Sequence, residues 1–572
     1  MSSTATPGQG PGLQIRNNLA SDYADIYTPA ALDALGHMSQ YNNEQKRLMA
    51  ERTKRRLTRM RDHQPVGFLP ADGEIKGTGI RVQDARDGNF VGAVIPHDLQ
   101  RQWLQGTGPA AKPNSPVQAN LRNVAYALLS GADGWMFDGE DALGQITTMS
   151  LDNQRSLKLA IARDPQFLEV AEAVSQEMNA WARDFFGREI IADWRKQLDF
   201  TTKIFRARGL HLDDRHIRLD GQSFSASITD MTLYVVNNYK ALQEDDSSIV
   251  LYLPKIQTAE EAGFWNKLLS ALENYLGLDA GTIKVYVLVE QLEATFQLME
   301  IRAALGLHFV GFNTGRWDYI NSVADAMRWD PDFVNPNIES IVMTYGYMRS
   351  YEDRVRRAVN TADANGNFAL WQGGMEPNIP VGSEQGVADS MEKAVAGAER
   401  EQREGASGKW VAHWKMVHIV RPVWEKAGEA NQLGREFPPL TYTDEDAAGL
   451  TLSSIKDMLE VAARAGRRRA PGHAFVELTR MAAQGPGLLH QRHGKSLHRQ
   501  IGGRLNTADS AADHHGHWFN LKFGFIERRR QGRFRDGHTN QVLCFLGCQV
   551  WVVFMHPGVL VADIGHLKQV FV

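Results

Sequence analysis

The sequence predicts an α/β protein built on a (β/α)8 TIM barrel, with an N-terminal helical segment and an atypical C-terminal region. Three observations lead there. Eight short runs rich in β-branched and aromatic residues alternate with longer stretches of amphipathic helical spacing, and repeated strand, helix, strand order means parallel pairing with crossovers. Eight such units are what a closed barrel needs, and each run closes on polar residues or glycine, as the working rim of a barrel does. An open doubly wound sheet fits less well, because no G-x-G-x-x-G follows the first run and the GTGP at Gly106 to Pro109 reads as a loop.

From Pro29 to about Asp62 the chain reads as helix. Its second half, NEQKRLMAERTKRRLTRMRDH, is basic with leucine and methionine at helical spacing. A solvated helix packed on the main domain fits better than nucleic-acid binding, since no interleaved aromatic residues offer bases a stacking surface. The eight expected strands are NFVGAVIPHD (89–98), DGWMFDGEDA (133–142), TKIFRARG (202–209), SIVLYLPK (248–255), IKVYVLVEQ (283–291), HFVGFNTGRWD (308–318), NFALWQGGM (367–375) and KWVAHW (409–414). Between them, segments such as NVAYALLSGA and AGFWNKLLSALENYLGL have helical spacing, often ending at glycine as helix C-caps do. The expected organisation is a leader and helical segment over 1–85, a catalytic barrel over 86–435, and a C-terminal region over 436–572.

Bulk properties set bounds on function. With 572 residues, 43% hydrophobic and 23% charged residues and a formal net charge of -4, the chain is globular with no global attraction to nucleic acid or membrane. Its two cysteines, Cys544 and Cys548, support no disulfide framework, so a reducing compartment is expected, the cytoplasm best of all. The opening MSSTATPGQGPGLQ lacks a basic start and an apolar core, and reads as a disordered leader. The apolar run QVLCFLGCQVWVVFMHPGVLVADIG is broken by Pro557 and glycines, and its residues favour strands over a membrane helix.

Catalytic groups of such barrels lie at the C-terminal ends of strands. Here those ends carry Asp138, Glu140 and Asp141, then Arg206 and Arg208, Lys255, Glu290, Arg316 and Asp318, and His413. Carboxylates from separate strands that face one mouth repel unless a cation lies between them, and hard oxygen ligands suit magnesium with waters left over. Each residue alone is as well explained by an ion pair closing the rim. One polar group per strand end is harder to account for that way.

The strings GFLPADGEIKGTGIRV, VIPHDLQ and GPAAKPNSPVQANLRNVAYALLSGADGWMFDGEDA resemble the N-terminal region and first strands of malate synthase of the shorter, A type. FRARGLHL, LYLPKIQTAEEAGFWN, GTIKVYVLVEQLEATFQLMEI, HFVGFNTGRWDYI, GGMEPNIPV and GKWVAHW are similar to its later strands, in order, over roughly residues 25–440. This resemblance implies a Mg2+-dependent condensation of acetyl-CoA with glyoxylate, giving malyl-CoA and, after thioester hydrolysis, malate and CoA. It further implies that Glu290 and Asp318 are the Mg2+ ligands, that Arg208 is the catalytic arginine, and that Glu140 and Asp141 sit beside the metal. The expected partners are these two small substrates, with no nucleic acid and no membrane; the oligomeric state is left open. A malyl-CoA or citryl-CoA lyase, sharing metal and arginine but leaving the thioester intact, is the neighbouring reading.

The family's proton-abstracting aspartate lies in a C-terminal string resembling L-M-E-D-A-A-T, which is not found in the expected place. TDEDAAGL holds Asp446 too soon after the barrel, and DMLEVAARAG has Val461 where the aspartate is wanted. Beyond about residue 466, composition shifts: ten of 18 histidines and both cysteines lie there, with RRRAP and ERRRQGRFR. The C-x3-C pair and AADHHGH are weak metal signals. The expectation is a poorly ordered tail and a barrel whose activity is in doubt for want of its base.

Overall fold

The computed structural model describes residues 12–108, 115–140, 147–331, 333, 335–338, 341–344 and 346–452, and five strands between 533 and 568. The chain falls into two compact units, Met1–Pro331 with Met348–Thr451, and Asp332–Tyr347 with Leu452–Val572.

In the first unit eight strands close a barrel: β1 (Leu104–Thr107), β2 (Gly134–Asp138), β3 (Thr202–Arg206), β4 (Ile249–Leu253), β5 (Ile283–Val289), β6 (Phe309–Thr314), β7 (Leu370–Glu376) and β8 (Gly408–Val411). Every neighbouring pair is parallel and in chain order, with β8 returning to β1 through Lys409 opposite Leu104. Runs such as IVLYL and IKVYVLV are buried almost throughout, the pattern of a parallel sheet covered on both faces. Inside, Met136, Ile204, Val250, Tyr252, Tyr286, Leu288, Val310, Leu370 and Trp410 form the core. Helices α1 (Pro29–Met38) and α2 (Asn42–Asp62) precede the barrel. Of the outer helices, α3 (Ala226–Glu244), α4 (Ala259–Leu276) and α5 (Arg316–Ala326) bear on the rim, and α6 (Asp444–Leu450) follows the barrel.

The first strand differs from the one expected. NFVGAVIPHD forms no strand; Ala93, Ile95 and Leu99 join the barrel core instead. Asp98 accepts from the Ser248 backbone N–H at 3.0 Å and hydroxyl at 2.6 Å, at the start of β4, so this segment plugs the N-terminal end of the barrel. The strand in its place is LQGT, whose polar and glycine residues hid it. Gln105 turns inward, accepting from Trp410 Nε1 at 3.0 Å and from the Tyr252 hydroxyl at 2.5 Å. At Gly106 a Cβ would lie 2.1 Å from the Trp135 ring, so the residue is small because the indole fills its space.

The second unit contains an antiparallel sheet of Arg533–Asp536, Thr539–Leu546, Gln549–His556, Val559–Ile564 and Leu567–Lys568, each paired with the next. Cys544 is in register with Trp551. Cys548, the AADHHGH histidines and Glu460, and most of the tail expected to be poorly ordered, lie outside the described residues. Among the described residues no helix is long and apolar enough to cross a membrane.

Candidate active site at the C-terminal mouth of the barrel

Strand parity decides which rim residues face the barrel axis. Met136 and Ile204 are core residues, so Asp138 and Arg206, two positions further on, point to the same interior face. Tyr286 and Leu288 put Glu290 there by the same alternation. Asp138 and Arg206 lock together, Nε to Oδ1 at 2.7 Å and Nη2 to Oδ2 at 2.5 Å, and Asp138 Oδ1 also accepts from the Glu140 backbone N–H at 2.8 Å.

Arg208 lies two residues beyond the end of β3 and is held by two acids. Its Nε donates to Asp230 Oδ2 at 2.9 Å, and its Nη2 donates to Asp230 Oδ1 and Asp214 Oδ2, both at 2.8 Å. Asp230 belongs to α3 and Asp214 to the strand Asp213–Leu219, both outside the barrel. These carboxylates more than offset the burial that opposes the charge, so the guanidinium is held well above its ordinary pKa.

The carboxylates converge on Lys255. Its Nζ lies 3.2 Å from Glu290 Oε2, 3.0 Å from Asp318 Oδ2 and 4.0 Å from Glu140 Oε2. Asp318 reaches it from the first turn of α5. Glycine permits the crowding, for a Cβ at Gly315 would lie 2.8 Å from Glu290 Cβ, and one at Gly209 would lie 3.2 Å from Glu140 Oε1. Lys255 itself has φ +55°, a left-handed backbone rare for lysine. Its N–H donates to Glu290 Oε1 at 2.8 Å and its carbonyl accepts from Arg52 Nη1 at 2.8 Å. His211 adjoins the group, Nε2 3.8 Å from Glu140 Oε1, and its pKa is lowered to about 3 by burial, then by Arg52 and Lys255.

Thus Glu140, Glu290 and Asp318 come together around Lys255, and Asp141 lies outside the described residues. Among the described residues no three His, Cys, Asp or Glu side chains form a ready-made metal cluster. Two carboxylates with water in the remaining positions suit Mg2+, which keeps much of its hydration. The residues present fit that ion.

Sequence reasoning missed Asp214, Asp230 and the reach of α2. An acid amid SITDMTLYVV was the available signal, since a buried helix face does not carry a lone carboxylate without a partner. Arg47 and Arg56 of α2 pair with Glu260 and Asp325, and Arg52 and Arg55 with Glu261, so the basic helix is tied to the loops and helices after β4 and β6. Asp446 is committed locally: its Oδ2 accepts from the Thr443 backbone N–H at 2.9 Å while the Thr443 hydroxyl caps α6, a reciprocal capping box. His413 likewise accepts from the Lys415 backbone N–H at 3.2 Å.

Comparison with known proteins agrees with this architecture. Residues 202–439 match the family model described as malate synthase, TIM barrel domain. A malate synthase from Dictyostelium discoideum is 31% identical over 414 residues, 72% of this chain and 68% of that protein. One from Myxococcus xanthus is 29% identical over 424 residues, 74% of this chain and 70% of the relative. Malate synthase A of Escherichia coli is 28% identical over 408 residues, 68% of this chain and 70% of the relative. Matches of this length to proteins of one activity support malate synthase function. The chain belongs to the malate synthase family of enzymes.

Proposed function

We propose that this rim carries a Mg2+-dependent condensation of acetyl-CoA with glyoxylate, followed by thioester hydrolysis to malate and CoA. One observation carries the reading: Glu290 and Asp318, from successive strand ends, share a single cation at the barrel mouth, with Glu140 beside them. Glu290 and Asp318 would hold the ion, and Glu140 and Asp141 would hold its waters. When bound, the ion supplies the Lewis acidity that polarises the aldehyde.

The remaining roles belong to the chain. An enolate oxygen formed from the acetyl group needs a fixed donor that cannot lose its own proton, which is a guanidinium. Arg208 is the sequence's candidate, and its Nε and Nη2 are engaged by Asp230 and Asp214 outside the barrel. These carboxylates would fix the plane of the Arg208 guanidinium, and Arg206, which faces the axis and is oriented by Asp138, is a second candidate for the same role. Asp446 is not favoured as the base, because its carboxylate closes a helix cap. The two-cysteine composition supports a cytoplasmic setting.

A thiol-release assay on the full chain with acetyl-CoA, glyoxylate and Mg2+ tests the reading. Free CoA thiol is the expected product. Accumulating malyl-CoA without thiol would mark a lyase, and glyoxylate binding in calorimetry without any product would mark a silent barrel.

A further inference from the structure

We infer that Lys255 is a tethered counter-cation, whose ammonium holds the place between Glu290 and Asp318 until a divalent ion takes those oxygens and so sets how tightly the ion binds. The inference rests on the metal assignment made above. It starts from the distances: one ammonium lies within 3.2 Å of a carboxylate oxygen on each of the two assigned ligands and 4.0 Å from a third acid. Three acids gathered with no cation between them would repel, and one or more would have to take up a proton or move away. The lysine offsets that repulsion and holds them apposed.

The backbone is built for this. A lysine at φ +55° sits in the left-handed region that side-chain-bearing residues rarely adopt. Such strain persists only where the surroundings over-determine it. Here both backbone polar groups are tied, the N–H to Glu290 Oε1 and the carbonyl to Arg52 Nη1, each at 2.8 Å. The strained turn therefore aims the side chain at the very carboxylate that also fixes the turn.

The ammonium stands 3.2 and 3.0 Å from one oxygen of each acid, where an ion bridging the two would have to sit. Mg2+ held by those two acids would crowd and repel the ammonium, which would have to give ground to the ion. Lysine suits the exchange, being a compact charge on a flexible four-carbon stem. The Asp318 side chain is 41% exposed, which leaves the ammonium a route toward solvent on that side. Metal loading is then the replacement of one charge by two, and the lysine lowers the affinity of the ion it precedes.

The test is the affinity of the full, substrate-free chain for Mn2+, read by electron paramagnetic resonance, with Mg2+ calorimetry alongside. Removing a unit positive charge some 3 Å from the ligands should tighten binding by about tenfold or more in Lys255→Met, with Lys255→Gln as a second neutral variant. Lys255→Arg, which keeps the charge, should stay near the parent value. Unchanged or weaker binding in both neutral variants, with the parent site intact and lost in Glu290→Gln, would overturn the counter-cation role while leaving the metal site standing. No Mn2+ binding by any chain would overturn the metal assignment and this inference together.

Discussion

Asp138 grips Arg206 through two parallel hydrogen bonds, 2.7 Å to Nε and 2.5 Å to Nη2, with both side chains buried at the mouth of the barrel. A forked pair of this kind fixes the guanidinium plane as a point charge could not.

It follows that Arg206→Lys keeps the charge but loses the donor geometry. Turnover in the thiol-release assay should fall by roughly 10²- to 10³-fold, the loss seen when one oxyanion donor is removed, with the fold retained by circular dichroism. Arg208→Ala should cost stability as well as turnover. It strands Asp230 and Asp214, which are 1% and 0% exposed, and should lower the unfolding free energy by roughly 3–5 kcal/mol in a urea titration. Full turnover in Arg206→Lys combined with a collapse in Arg208→Lys would leave the catalytic role with Arg208 alone.

Glu290→Gln and Asp318→Asn each remove an anionic oxygen from the proposed ion site. Both should weaken Mg2+ binding in calorimetry, Glu290→Gln the more, because Glu290 is buried and also anchors the Lys255 backbone. Metal affinity unchanged in both would exclude the pair as ligands.

His308 makes acid stability testable. It is buried, Nδ1 donating to the Ile283 carbonyl at 2.8 Å and Nε2 3.2 Å from the Ser270 hydroxyl, with Glu273 Oε1 3.5 Å away. Burial lowers its pKa from 6.5 to about 4. Between those values the unfolded chain binds more protons than the folded one, so stability is full above pH 6.5 and is lost as pH falls toward 4. The contribution is on the order of 3 kcal/mol at most. In His308→Asn, which keeps a donor for Ile283, urea midpoints should decline less steeply over that window; an identical decline would assign the acid limb to other groups.

Gly408 opens β8 where the barrel closes on β1. A Cβ there would lie 2.0 Å from the Gln102 carbonyl and 2.5 Å from Gln372 Oε1. Gly408→Ala should cost roughly 1–3 kcal/mol or more, since backbone must move to admit it. A melting temperature equal to the parent would show that the strand ends can slide apart.

Asp446→Asn separates a helix cap from a catalytic base. The cap role predicts a loss of about 1 kcal/mol or less and unchanged turnover. A large fall in turnover at equal stability would make Asp446 the base.

Most of the barrel was legible because β3 to β7 contain runs buried on both faces, which stand out as β-branched and aromatic strings. The first strand was not, since LQGT satisfies its interior through Gln105 and makes room for Trp135 at Gly106, while the more apolar 89–98 became the plug. Alternating hydrophobicity reports burial, and a plug is buried as well as a strand.

The same division holds at the site. Residue order alone determined that acids, two arginines and a lysine stand at successive strand ends, and that these strings belong to one family. Only the tertiary structure decided that Lys255 joins Glu290 to Asp318, that Arg206 faces inward, and that Asp214 and Asp230 claim Arg208. The reason is geometric. A side chain's direction at a strand end depends on strand parity and on where the strand stops, and its partners come from elements tens of residues away that meet only when the barrel closes.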